Sequence, residues 1–433
     1  MTQNLKSKLV ERQYLLTFIL ITSLFALWGF ANDITNPMVA AFQTVMELSA
    51  TKASLVQFAF YGGYATMAIP AALFAKKYSY KKGILLGLIL YAIGAFMFIP
   101  AANRQEFGFF CVSLYVLTFG LAFLETTANP YILSLGSKET STRRLNLSQA
   151  FNPVGSLMGM FVASRLVLAK LESDTAHVRE VGFSNLDEAT KLTIREHDLD
   201  VIRNPYVVLG CVVLLMFVII AIFVKSERKD TNNVRTDNSG TLRRLFSNKV
   251  YRGGVITQLF YVAAQIMTWT FIIQYADRLG IDKATAQMYN IIAMGMFLCG
   301  RFISTFLMKY ISSRKLLMYF AVGAMLASAG TILIDGILGL YCLMAISIFM
   351  SLMFPTIYGI ALENVSLEDS TLGAAFLVMA IVGGALMPPL QGMIIDLGTV
   401  AGLPAVNFSF ILPFICFLVI FFYGWKTSRD ATV

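Results

Sequence analysis

Windows of about 20 apolar residues, the length a helix needs to cross the roughly 30 Å hydrocarbon core of a bilayer, can be laid almost end to end along this sequence. There are twelve: 15–45, 54–75, 83–103, 107–135, 145–171, 205–225, 250–276, 284–309, 315–334, 338–362, 370–396 and 404–425. Hydrocarbon holds no water to satisfy a backbone N–H or C=O, so lipid-facing segments of this kind fold as helices. The predicted fold class is an all-α membrane protein with twelve transmembrane helices. Composition agrees, with 57% hydrophobic residues, 14% charged residues and a mean hydropathy of +0.69. No separate soluble domain is expected.

A net charge of +9 would suit nucleic acid if it formed a patch. Instead Lys and Arg sit in short connectors between the apolar runs, where the positive charge of cytoplasmic loops explains them and nucleic acid is not expected as a partner. Placing both termini in the cytoplasm puts Lys76, Lys77, Lys81, Lys82, Lys138, Arg143 and Arg144 inside, with the basic residues from Lys225 to Arg252. The polar stretch 226–249 reads as a cytoplasmic linker between an amino-terminal six-helix bundle, 1–225, and a carboxy-terminal one, 250–433. The 172–204 connector is expected outside, and its His177 and His197 read as solvated loop residues, with no metal site predicted. Cys111, Cys211, Cys299, Cys342 and Cys416 stand singly in apolar stretches and read as small core residues. Basic residues precede the first apolar run and no small-residue cleavage site ends it, which predicts a retained first helix.

Two acids break the apolar pattern. Asp33 lies in FALWGFANDITNPM (25–38) and Glu125 in LAFLETTANPY (121–131). An ionisable side chain at the centre of a membrane helix costs roughly 2.5–3.5 kcal/mol on insertion scales and marks a functional site by default. Residues three or four apart share a helix face. That rule groups Asn32, Asp33 and Asn36 in the first span, Glu125 and Asn129 in the fourth, and Asn146, Gln149 and Asn152 in the fifth. In the second half Gln258, Tyr261, Gln265 and Trp269 form a similar stripe, and Trp28 lies beside the first cluster. Amides and carboxylates offer donors and acceptors at fixed positions, which suits a ligand with several hydroxyls, and an indole can stack on the apolar face of a sugar ring. Intramembrane amides also serve simply to bridge helices. Three clusters beside two carboxylates favour a site.

The halves echo one another. AALFAKKYSYKKGILL (71–86) and GRFISTFLMKYISSRKLLM (300–318) occupy matching places, and Pro130 and Pro355 each precede a glycine-bearing helix, at Gly155 and Gly383. The segments FALWGFANDITNPM, LETTANPYI, RRLNLSQAFNPVGS, QLFYVAAQIMTWTFIIQYA, FPTIYGIALENV and FLVMAIVGGALMPPLQG resemble the L-fucose/proton symporter family of the major facilitator superfamily, with the likeness running from about residue 15 to 425. The resemblance implies twelve helices in two bundles, alternating access, and import of a monosaccharide coupled to protons. By the same resemblance Glu125 is the fourth-span carboxylate coupled to sugar binding, and Gln149 and Asn152 are sugar contacts. The first span departs from the family pattern Asn-Asn-x-Asn-Asp: the family's aspartate position holds Asn36, and the acid stands three residues earlier at Asp33. Three residues rotate a side chain by about 60° and move it one turn, which keeps the acid near the same face. Phe354 replaces a tyrosine of the fucose transporters ahead of Pro355, which bears on sugar identity.

The expected function is a proton-coupled monosaccharide importer of the cytoplasmic membrane, with L-fucose as first substrate. Asp33 and Glu125 are expected to carry the proton. Asn32, Asn36, Asn129, Gln149, Asn152, Gln265, Trp28 and Trp269 are expected to bind sugar. No cofactor is expected beyond the coupling ion H+, and the chain is expected to act as a monomer in the bilayer. Glucose, galactose or N-acetylglucosamine are the alternative sugars, and an uncoupled uniporter or exporter the alternative mechanism. A membrane enzyme using Asp33 and Glu125 as an acid–base pair would need a catalytic loop, metal motif or phosphate cradle that the sequence lacks. A nutrient sensor without transport is a third class.

Overall fold

The computed structural model describes residues 10, 12–136, 144, 147–149, 151–224, 238–308, 310–363 and 365–430. Twelve helical segments follow in order: α1 (Arg12–Val45), α2 (Ala50–Ala75), α3 (Tyr80–Arg104), α4 (Phe107–Asn129, its helix running on to Ser134), α5 (Leu147–Lys170), α6 (Glu188–Phe223), α7 (Lys249–Arg278), α8 (Lys283–Leu307), α9 (Ser313–Leu333), α10 (Ile337–Leu362), α11 (Ala375–Ile395) and α12 (Ala405–Arg429). Among the described residues eleven are long and apolar enough to cross a membrane, and the 25-residue α8 makes the twelfth. Their outward faces carry large apolar side chains such as Leu215, Ile222 and Phe302, as lipid contact requires. Part of the expected linker, 226–237, and Asn146 lie outside the described residues; within the linker, Asn238–Ser247 is helical.

Two expectations are corrected. The sixth span begins at Glu188 and not at 205, because the polar stretch ahead of Pro205 continues the same helix for 36 residues. Its charged first turns are held by ion pairs: Lys191 and Arg195 both grip Glu47, at 3.3 and 3.0 Å. Of the five cysteines only Cys416 is buried; Cys211 and Cys299 point outward from their helices.

The helices break where their residues demand it. Helix Leu15–Thr35 stops at Asn36–Pro37, since proline lacks an N–H and its ring crowds the preceding turn, and the chain resumes as Met38–Val45. α7 has the matching interruption: Lys249–Thr270, a turn at Phe271, then Ile272–Arg278. After each short piece a side chain caps the next helix, Ser49 accepting from the Lys52 N–H and Asp282 from the Thr285 N–H.

By contacts the chain forms two compact units. The first comprises Met1–Thr35, Thr66–Val162 and Ile202–Asn232; the second comprises Asn36–Ala65, Ala163–Val201 and Asn233–Val433. In the first unit α5 lies directly on α1: a Cβ at Gly155 would stand 1.8 Å from the carbonyl oxygen of Ala26. In the second unit α11 lies on α7 in the same way, a Cβ at Gly383 falling 2.0 Å from the carbonyl oxygen of Leu259. These are the two glycines that the sequence repeat paired. The connector ahead of α6 is ordered within the second unit, where Val178, Phe183 and Ile194 form a small core and Asp198 accepts the N–H groups of Glu172 and Ser173 at 2.8 and 3.0 Å. A two-residue hairpin, Thr399–Val400 with Leu403–Pro404, turns through Ala401 and Gly402, both at positive φ, to join α11 to α12.

Candidate functional site

In the first unit the polar residues of α1, α4 and α5 are linked. Asn129 donates to the backbone carbonyl of Glu125 one turn earlier, at 2.9 Å, and its own Oδ1 accepts from Gln149 Nε2 at 3.3 Å. α4 and α5 are thus joined by two amides beside the acid. Asn152 Nδ2 reaches the carbonyl of Phe25 on α1 at 3.4 Å, and Thr22 and Ser148 exchange a hydrogen bond of 2.8 Å. Trp28 stacks on Phe25 with ring centroids 5.1 Å apart.

Accessibility differs among these groups. Gln149 is exposed, and Trp28, Asn32, Glu125, Asn129 and Asn152 are half-buried. Among the described residues the Glu125 carboxylate has no hydrogen-bond or ion-pair partner. An ionised carboxylate only accepts hydrogen bonds, whereas the protonated form also donates, so the group offers a ligand hydroxyl different contacts in its two states. Asp33 is enclosed, at 1% exposure.

The remaining predicted residues belong to the second unit. Asn36 is buried, and its Oδ1 accepts from Gln57 Nε2 at 3.2 Å; the same nitrogen donates to Thr270 Oγ1 at 2.9 Å. Trp269 is also buried, donating from Nε1 to Ser347 Oγ at 3.2 Å and standing edge-on to Phe297. Its backbone carbonyl accepts from Asn290 at 3.1 Å, and Asn290 bonds Gln287 at 3.4 Å. Gln265 is half-buried on α7 and has no partner among the described residues. The structure therefore gathers Glu125, Asn129 and Gln149 into one group and sets Asn152 and Trp28 on the α1–α5 seam, while Asn36 and Trp269 are tied into internal networks.

Sequence reasoning passed over Gln57, Gln287, Asn290 and Ser347, all fully buried. A signal was present: each is a polar residue inside an apolar run. They lie in the second, eighth and tenth spans, outside the first, fourth, fifth and seventh spans whose polar stripes define the predicted clusters.

The chain matches the sequence profile of the Major Facilitator Superfamily over residues 16–388. It is 62% identical over 430 residues to the L-fucose-proton symporter of Haemophilus influenzae, covering 98% of this chain and 99% of that protein. The glucose/galactose transporter of Brucella abortus is 30% identical over 423 residues, covering 97% and 96%. A crystal structure of the transporter FucP in an outward conformation matches with a TM-score of 0.70 and 32% identity, over 96% of this chain and 99% of that one.

Proposed function

This chain belongs to the Major Facilitator Superfamily, and from that premise we propose that it is a proton-coupled importer of L-fucose working by alternating access. The observation that carries the reading is the full-length 62% identity to an L-fucose-proton symporter. The polar group on α4 and α5 supplies chemistry that such a carrier needs. Glu125 and Asp33 are the proton carriers: protonated, each is neutral and can pass a low-dielectric interior that penalises its charged form. Gln149, Asn129, Asn152 and Asn32 offer donors and acceptors to sugar hydroxyls, and Trp28 and Gln265 complete the contacts. Asn36 and Trp269 hold these helices in place through Gln57 and Ser347. One charge crossing 100 mV releases roughly 2.3 kcal/mol and tenfold accumulation costs about 1.4 kcal/mol, so one proton sustains a gradient of roughly fiftyfold.

The orientation proposed has both termini and the 226–249 linker in the cytoplasm, in a bacterial inner membrane, because most of the Lys and Arg then lie inside. Glucose or galactose is the second reading, favoured by Phe354 in place of a tyrosine and by the Brucella relative. Uptake of radiolabelled L-fucose in cells expressing the chain, with competing monosaccharides and with or without a protonophore, tests the proposal. The expected result is competition by unlabelled L-fucose and collapse of accumulation with the protonophore. Competition by glucose or galactose alone would replace the substrate, and accumulation indifferent to the protonophore would replace the coupling ion.

A further inference from the structure

In the second unit a half-open cavity of about 480 Å³ is lined by α1, α7, α8, α11 and α12 and by Phe183 and Ser184 of the connector ahead of α6. Its volume lies in the roughly 300–1,000 Å³ range of small-molecule sites. Every charge on its wall is already matched. Glu47 is held by Lys191 and Arg195, and Asp277 lies 3.2 Å from Arg179. Lys283 pairs with Asp174 at 2.8 Å, and Arg278 pairs with Asp335. With two acids and two bases so compensated, the cavity has no net charge with which to recruit an ion.

The groups left over are neutral. Gln274 is only 8% exposed, and neither its Oε1 nor its Nε2 has a partner. A buried amide left without partners is unfavourable, so a ligand that supplies both a donor and an acceptor is favoured there. Gln43, Thr44 and Ser184 add an amide and two hydroxyls around the wall, and Phe183 adds an aromatic ring. Several neutral donors and acceptors with one ring fit a compact polyhydroxylated molecule.

We propose that this cavity is a second monosaccharide-binding site, an outer vestibule centred on Gln274 and distinct from the Glu125–Gln149 group. The proposal rests on the reading of the chain as an L-fucose carrier, with the 172–204 connector outside. The unsatisfied amide and the ring select hydroxyl-bearing molecules over ions.

Equilibrium binding of radiolabelled L-fucose to the purified full chain in nanodiscs, carried to saturation, decides it. Wild type is expected to bind about two sugars per chain, and Gln274→Leu about one, because leucine keeps the volume and removes both hydrogen-bonding atoms. Ser184→Trp fills the cavity from the exposed connector and leaves every residue of the membrane-spanning helices unchanged, and it too is expected to retain about one sugar, which covers the case in which Gln274→Leu fails to fold. One sugar per wild-type chain, or an unchanged stoichiometry in Ser184→Trp, overturns the vestibule and leaves the substrate reading intact. No L-fucose bound by the wild type overturns the substrate reading and the vestibule with it.

Discussion

The α1–α5 pair and the α7–α11 pair share a frame and differ in chemistry. In each a glycine on the later helix, Gly155 or Gly383, allows backbone to lie on backbone. In each the earlier helix breaks, at Asn36–Pro37 or at Phe271, into a short helical piece, and the helix after that piece is capped by a side chain. Around α1, α4 and α5 some polar groups are accessible: Gln149 is exposed and the Glu125 carboxylate has no partner among the described residues. Around α7 several are spent on one another, Trp269 on Ser347, Thr270 on Gln57, Asn290 on the Trp269 carbonyl. Mid-span carboxylates occur only in α1 and α4. A duplicated frame therefore does not carry duplicated chemistry: the mid-span carboxylates lie in one half, and the matching positions of the other hold amides and aromatic residues.

The shared frame is broken most severely at its glycines. Gly155→Ala and Gly383→Ala each put a methyl group into a backbone carbonyl that cannot give way, so each is expected to destabilise by about 3 kcal/mol or more, beyond ordinary overpacking. Thermal unfolding in detergent and the yield of monodisperse protein measure this. Similar losses at both positions support the common frame; a tolerant Gly383→Ala would confine it to the first half.

The chemical difference is sharpened by Glu125→Gln, which keeps the shape and removes the proton. Accumulation driven by a pH gradient or membrane potential should fall from roughly fiftyfold to none, a loss of about 2.3 kcal/mol per turnover. Exchange of labelled for unlabelled sugar across the membrane should survive, because exchange needs no net proton movement. Undiminished accumulation would remove Glu125 from coupling.

Smaller effects separate binding from scaffold. Gln149→Ala should weaken L-fucose binding about 5- to 13-fold, the equivalent of about 1–1.5 kcal/mol for one hydrogen bond. Ser347→Ala removes only the partner of the Trp269 indole and should lower the unfolding temperature with little change in affinity. The reverse pattern, with affinity sensitive at Ser347 and indifferent at Gln149, would move the sugar contacts to the second half.

Much of the frame was legible beforehand, for a physical reason. Hydrocarbon forces helices, and helix length follows from bilayer thickness, so eleven apolar spans and α8 fell near their expected places. The start of α6 was misjudged because hydropathy reports where a helix enters lipid and not where it begins; Glu188–Arg203 is helical but polar. For the site, spacing on one helix correctly joined Glu125 to Asn129. The bond between Asn129 and Gln149 depends on how α4 meets α5, and no residue spacing encodes that. The partners of Gln57 are hidden for the same reason, since they come from residues 21 and 213 positions away.

The smallest expected effect concerns a feature that the two halves share at the ends of α5 and α11. Asp174, beyond α5, accepts the Lys283 N–H that opens α8, and Asp396, beyond α11, accepts the N–H groups of Ala50 and Thr51 that open α2, at 2.6 and 2.9 Å. A carboxylate at a helix amino terminus satisfies orphan donors and meets the positive end of the helix dipole. Asp174 is buried and also grips Lys283 Nζ, whereas Asp396 is exposed and its charge is screened by solvent. Burial acts to raise the Asp396 carboxyl, but the bonds from the Thr51 hydroxyl and the two amides outweigh it and hold the group below the usual carboxylate range. A depressed carboxyl contributes stability above its unfolded value of about 3.9 and loses it as pH falls through the lower folded value. Asp396→Asn should therefore cost about 0.5 kcal/mol at neutral pH, the low end for a cap, and the gap from wild type should hold down to about pH 5 and close below about pH 4. Unfolding temperatures of both proteins across that range measure it. A gap that widened on acidification would mean that Asp396 stabilises the fold in its protonated form, and the likeness between the two caps would end there.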